Sequence, residues 1–173
     1  MRALSFAVDE PLIRPSATFS RKGRRELTGE RVLRLRQAQH LLTIKTYGRG
    51  FYEFSPDARA FLHASGLAMG QLTIFCRHTS ASLLIQENAD PSVLDDLESF
   101  FDQIAPEDAG LYAHRAEGLD DMPAHLRAAL TQTSVNIPFA GGELLLGTWQ
   151  GIFLFEHRRA PHQREVILHA SGE

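Results

Sequence analysis

The segment HRAEGLDDMPAH, His114 to His125, sets two histidines around Glu117, Asp120 and Asp121. A neutral imidazole carries a free ring lone pair near neutral pH, which makes histidine a frequent ligand for transition metals. A third histidine, His78, closes the apolar stretch LTIFC and opens HTSA. Three imidazoles with a fourth position left open are a normal arrangement for catalytic zinc. Spacings of 36 and 11 residues match no closed zinc finger, so only the fold could gather these side chains. The competing reading is a set of scattered surface or hydrogen-bonded histidines, with the three carboxylates as solvated charge.

Other residues could carry chemistry with less support from spacing. In ENADP, Asp90 reads as a helix cap and Asn88 as a turn residue, which leaves Glu87 free for a base or supporting role. In GTWQG, Thr148, Trp149 and Gln150 lie between glycines and between apolar runs. A turn alone rarely needs tryptophan, so this segment could meet a ligand or a subunit neighbour. EHRR gathers Glu156, His157, Arg158 and Arg159 at a strand end, where guanidiniums could form a phosphate-binding rim or an exposed charged loop. Cys76 lies two residues before His78 in the same strand, hence on the same face, and reads as a small core residue. His40, His63 and His169 read as structural.

These side chains must be positioned by the elements around them. HLLTIKTY and FYEF read as strands joined by GRG. Ser55-Pro56-Asp57 predicts a capped helix start, and Gly66 its stop. QLTIFCRH and ASLLIQE read as two more strands. Asp90-Pro91 opens a helix with Val93, Leu94, Leu97, Phe100, Phe101 and Ile104 on one broad apolar face. Pro123 predicts a short helix to about Leu130, capped by Asp121, with His125 in its first turn. SVNIPF, ELLLGTW, GIFLFEHR and REVILHA follow as strands, the first two joined at Gly141-Gly142. Short direct links favour antiparallel pairing, so the expected fold class is α+β: a β-rich two-layer domain with a partly sandwiched antiparallel sheet.

At 173 residues the chain fits one domain, and 43% hydrophobic with 23% charged residues is ordinary for a globular protein. Residues 1–36 form a basic extension with nine Lys/Arg against four Asp/Glu; residues 37–173 carry nine against seventeen. The extension is expected to be flexible and dispensable for folding, and the acidic body argues against a nucleic-acid partner. One cysteine excludes an intrachain disulfide and fits a reducing compartment. No apolar run approaches the ~20 residues of a membrane span, and the start has no secretory apolar region. The expected setting is cytoplasmic, with no membrane partner. Neither a Walker sequence nor G-x-G-x-x-G is present, so a nucleotide fold has no local support.

HTSASLLIQENADP, YAHRAEGLDDMPAHLRAAL and LLLGTWQGIFLFEHR together resemble the family of small bacterial and archaeal proteins typified by YjbQ, also labelled secondary thiamine-phosphate synthase. The resemblance covers about residues 38 to 173, with three motifs in the family's order. It implies a YjbQ-like domain that forms a homotrimer, and a divalent metal near His78, His114 and His125. The histidine set favours zinc over magnesium, since no aspartate cluster of the usual magnesium kind is present. Glu117, Asp121 and Glu87 are then candidate catalytic or ligand-orienting carboxylates, with Asp120 the solvated one. Asn88, Arg115, Thr148, Trp149, Gln150 and Arg158 are candidate ligand-binding residues.

Two function classes follow. One is a metal-binding enzyme acting on a small phosphorylated substrate, with thiamine-phosphate synthase activity as the candidate: a pyrimidine pyrophosphate joins a thiazole phosphate and pyrophosphate leaves. The other is a trimeric metal- or small-ligand-binding protein without turnover.

Overall fold

The computed structural model describes residues 35–173. All of the basic extension except its last two residues lies outside them. The chain runs β1 (Arg36–Thr46), β2 (Gly50–Glu53), α1 (Ser55–Ser65), β3 (Met69–Cys76), β4 (Ala81–Glu87), α2 (Pro91–Ile104), α3 (Asp121–Leu130), β5 (Ser134–Ala140), β6 (Glu143–Leu144), β7 (Gln150–Glu156) and β8 (His162–Gly172). A five-stranded sheet has the order β1-β8-β3-β5-β6 and a three-stranded sheet the order β2-β7-β4. The paired strands are antiparallel throughout. The α+β, two-layer expectation therefore holds.

The core lies between the sheets because the strands alternate. Leu72 and Ile74 of β3, Val135 and Ile137 of β5, and Val166 and Leu168 of β8 point inward to meet Leu83 of β4 and Ile152 and Leu154 of β7. Ala58 and Leu62 of α1 close one side. β7 is buried on both faces: Ile152 and Leu154 face the core, while Phe155 packs edge-on against Phe101 of α2, ring centroids 5.3 Å apart. The outer face of the five-stranded sheet is less covered. Leu41 and Phe75 stand exposed on either side of Ile167, their common register partner.

The helix punctuation is mostly as expected. Asp90 accepts from the Ser92 amide at 2.9 Å. Gly66 adopts φ 62°, the left-handed conformation that ends α1. Ser55 is not the cap of α1. It is buried, and its hydroxyl accepts from the Ile152 amide at 2.8 Å and donates to Glu53 at 2.7 Å, tying the helix to β7. The broad apolar face of α2 buries only Phe101; Phe100 and Ile104 are exposed because one sheet covers one stripe of the helix. ELLLGTW is a strand only at Glu143–Leu144; the rest turns through Gly147, whose carbonyl accepts from the Gln150 amide at 3.0 Å. No helix among the described residues is long and apolar enough to cross a membrane.

Candidate metal centre

α3 begins at Asp121, and its first turn presents Asp121 and His125 four residues apart, on one helix face. The preceding loop returns His114 to the same place, its ring centroid 5.7 Å from that of His125. Gly118, at φ 114°, makes that return in a conformation that L-residues resist. One ligand atom from each of His114, Asp121 and His125 lies within 4.8 Å of the others.

The electrostatics of the cluster converge on one atom. Asp121 is 1% exposed. Its Oδ1 is paired with Arg158 Nη1. Its Oδ2 is buried and makes no hydrogen bond among the described residues, although His114 Nε2 is 2.7 Å away and His125 Nε2 3.6 Å away. His125 Nδ1 lies 3.0 Å from the Thr79 carbonyl, which can only accept, so the ring proton belongs on Nδ1. The lone pair of neutral His125 is therefore on Nε2, facing a carboxylate oxygen. Lone pairs facing one another across such a gap are repulsive unless a cation or proton lies between them. Two imidazole nitrogens and one carboxylate oxygen are a donor set that suits zinc. The residues therefore fit a divalent metal.

A second layer holds these groups in place. Arg158 binds three acceptors: Asp121, Asp120 Oδ2 at 3.1 Å and the Glu117 carbonyl at 2.8 Å. Asp120 was expected to be solvated; instead it is mostly covered and also receives the Arg159 amide at 2.9 Å. Burial works to raise the Asp120 carboxyl, and the Arg159 amide and Arg158 guanidinium outweigh it, holding it below the ordinary range. Nor is Asp120 or Asp121 a side-chain cap for α3; both face Arg158 instead.

His78 is not among the grouped atoms. Its Nε2 accepts from the Glu165 amide at 2.7 Å, and burial, followed by Arg164, lowers its pKa and keeps it neutral for that bond. The β3–β4 loop thus supplies the Thr79 carbonyl to the cluster. Arg115 turns its Nε to the Tyr112 carbonyl, 2.5 Å away within its own loop. Glu117 is exposed in the loop before α3.

The remaining candidates lie elsewhere. Glu87 pairs with Gln150 at the opposite end of the β4–β7 ladder from Ala81 and Glu156. Six strand residues separate those ends, roughly 20 Å at ~3.3 Å per residue. Asn88 joins them through its amide, which donates to the Trp149 carbonyl at 3.0 Å; Trp149 and Thr148 are exposed nearby. Within one chain these residues do not meet the metal cluster.

Of two buried charged groups, Glu156 was read only as part of EHRR, without its partner, and Arg127 was not singled out. Glu156 forms a two-pronged ion pair with Arg164, at 2.5 and 2.7 Å, and accepts from Thr46 at 2.8 Å. Arg127, on the inner side of α3, is 1% exposed and binds Asp102 and the Ala105 carbonyl, each at 2.9 Å. His157 is not in an exposed loop. It is fully buried, 2.9 Å from the Ser82 hydroxyl, and burial followed by the charges of Arg127, Arg164 and Arg49 lowers its pKa to about 3. A charged residue at helical spacing gave the only sequence signal for Arg127.

Known proteins carry the same fold and sequence pattern. The model of the family described as UPF0047 protein YjbQ-like matches residues 40–173. The UPF0047 protein sll1880 of Synechocystis is 59% identical over 138 residues, covering 80% of this chain and 94% of that protein. The UPF0047 protein YjbQ of Escherichia coli O157:H7 is 39% identical over 136 residues, covering 78% and 98%. Among solved structures, an uncharacterised YjbQ/UPF0047 family protein of Clostridium acetobutylicum superposes with a TM-score of 0.70 at 34% identity, covering 76% of this chain and 98% of that one. The hypothetical protein APE1520 of Aeropyrum pernix gives 0.72 at 29% identity, covering 79% and 99%. This chain belongs to the YjbQ/UPF0047 family.

Proposed function

We propose that the chain is a metal-dependent enzyme acting on a small phosphorylated substrate, working as a cytoplasmic homotrimer. The observation that carries the reading is the convergence of Asp121 Oδ2, His114 Nε2 and His125 Nε2, with no hydrogen bond to Asp121 Oδ2 among the described residues. These three atoms would hold the metal, and the nitrogen-rich donor set favours zinc over magnesium. A divalent cation there supplies positive charge to a leaving pyrophosphate, the demand set by the thiamine-phosphate synthase reaction.

The chain's own groups prepare that site. The Thr79 carbonyl fixes the His125 tautomer, so that Nε2 keeps its lone pair. Arg158 fixes the Asp121 rotamer and balances part of its charge. Glu117, exposed beside them, is the proposed proton carrier, and Arg115 an outer contact for substrate. Glu87, Asn88, Thr148, Trp149 and Gln150 enter through the trimer. They lie too far from the cluster in one chain and reach a metal only on a neighbouring subunit. Exposed Trp149 and Leu145, and the Leu41–Phe75 face, are apolar surface that association would cover.

The test is turnover of a pyrimidine pyrophosphate and a thiazole phosphate by zinc-loaded protein, with metal-stripped protein as control. Metal-dependent formation of thiamine phosphate supports the reading. Stoichiometric metal with no turnover would leave the binding-protein class. Light scattering that gives a monomer mass at micromolar concentration would remove the trimer.

A further inference from the structure

On α3, Arg127 lies two residues beyond His125, about 200° around the helix at ~3.6 residues per turn, and so faces away from the metal cluster. There it meets Arg49, from the β1–β2 turn, and Arg159, from the β7–β8 turn. A cavity of about 230 Å³ opens between them, lined by Arg49, Asp102, Pro106, Glu107, Arg127 and Arg159.

The two carboxylates organise the arginines. Asp102 binds Arg49 at 2.7 Å and Arg127 at 2.9 Å. Glu107 binds Arg159 at 2.8 Å and is 3.5 Å from Arg49. Three guanidiniums against two carboxylates leave the lining with one excess positive charge. Each guanidinium also carries about five N–H donors, while a carboxylate accepts at about four positions, so donors outnumber acceptors. One of them, Arg127 Nε, is buried with no partner among the described residues. Arg127 and Arg49 also bear on neighbouring His157, where burial comes first and their charges join that of Arg164 in lowering its pKa. A self-contained ion-pair network would fill its space and satisfy its donors, and this one does neither.

We propose that this cavity binds a small phosphoryl oxyanion, held by Arg49, Arg127 and Arg159 at a site separate from the metal cluster. Guanidiniums from three different elements can address several oxygens of a tetrahedral anion, each in a forked, charge-assisted geometry. The volume is about that of eight liquid waters at ~30 Å³ each, enough for one phosphoryl group and below the usual range for larger ligands. The site does not depend on the metal reading, and its test is separable from it.

The test uses full-length protein, stripped of metal, titrated with inorganic phosphate and with methyl phosphate at constant ionic strength. Binding is read by 31P line broadening and by calorimetry. Saturable binding is expected, weakened at least tenfold by Arg159→Ala and by Arg49→Lys. Arg159 is 71% exposed, so its removal leaves the fold intact. Arg77→Ala, a control at an exposed ion pair with Glu165, should bind as wild type, and so should His114→Ala. Methyl phosphate matching inorganic phosphate would identify the phosphoryl end of a larger ligand, and inorganic phosphate alone would identify the free ion; either supports the site. The proposal is overturned if binding is not saturable, if Arg77→Ala weakens it as much as Arg159→Ala, or if His114→Ala abolishes it.

Discussion

Replacing Arg158 by methionine tests whether the cluster holds a buried negative charge that needs a counter-ion. Among the described residues Arg158 is the sole arginine on Asp121, and the Asp121 side chain is 2% exposed against 15% for Arg158. Removing one partner of a buried ion pair leaves an uncompensated charge, at a cost of roughly 3–5 kcal/mol. Arg158 keeps some solvent contact, which places the expectation at the lower end, about 3 kcal/mol. At ~3 °C per kcal/mol for a domain of this size, metal-free Arg158→Met should melt roughly 9 °C below wild type. Asp121→Asn removes the charge that Arg158 balances, so the double variant Asp121→Asn/Arg158→Met should recover about 2 kcal/mol relative to additivity. Saturating zinc should shrink the Arg158→Met loss, because a cation supplies the missing counter-charge. Urea unfolding of the four proteins, with and without zinc, measures all of this. Additive single losses, or an Arg158→Met loss below about 1 kcal/mol, would refute the reasoning.

His157 is driven to a pKa of about 3, below the ordinary histidine range, so the unfolded chain binds the proton that the folded chain refuses. The stability from keeping it neutral is present above pH 6.5 and declines as pH falls toward 3, by an amount on the order of 5 kcal/mol. His157→Gln should flatten that part of the urea-stability profile, and an unchanged slope would count against it. At Gly70, an added Cβ would overlap the Ser171 carbonyl and come within 2.8 Å of the Phe139 ring. Gly70→Ala should therefore cost about 1–3 kcal/mol, and a neutral result by thermal denaturation would show that the β3–β8 pairing can shift.

Local chemistry was legible in the sequence where one or two residues decide it. Asp90-Pro91 announced α2, Gly66 ended α1, and Gly141-Gly142, with φ 62° and 78°, made the β5–β6 turn. His114 and His125 were legible as a pair because Pro123 marked the helix that holds one of them. The role of Asp121 was not, because it is set by Arg158, 37 residues later in the chain. His78 read as a ligand from type and neighbourhood, while the β3–β8 pairing brings the Glu165 amide to its ring. Arg127 was not singled out and Glu156 read only as part of EHRR, since a buried charge looks like a surface one until its partners are known. Leu145 and Leu146 read as strand by composition, but β6 ends at Leu144, where the turn through Gly147 begins.

Elemental analysis shows whether His114, Asp121 and His125 hold one metal ion. Wild type, His114→Ala, His125→Ala and His78→Ala are stripped with chelator, reloaded with zinc, desalted and measured for zinc per chain, with circular dichroism confirming the sheets. About one zinc per chain is expected in wild type and His78→Ala, and little or none in His114→Ala and His125→Ala. Full occupancy in both His114→Ala and His125→Ala, with the fold intact, would contradict it.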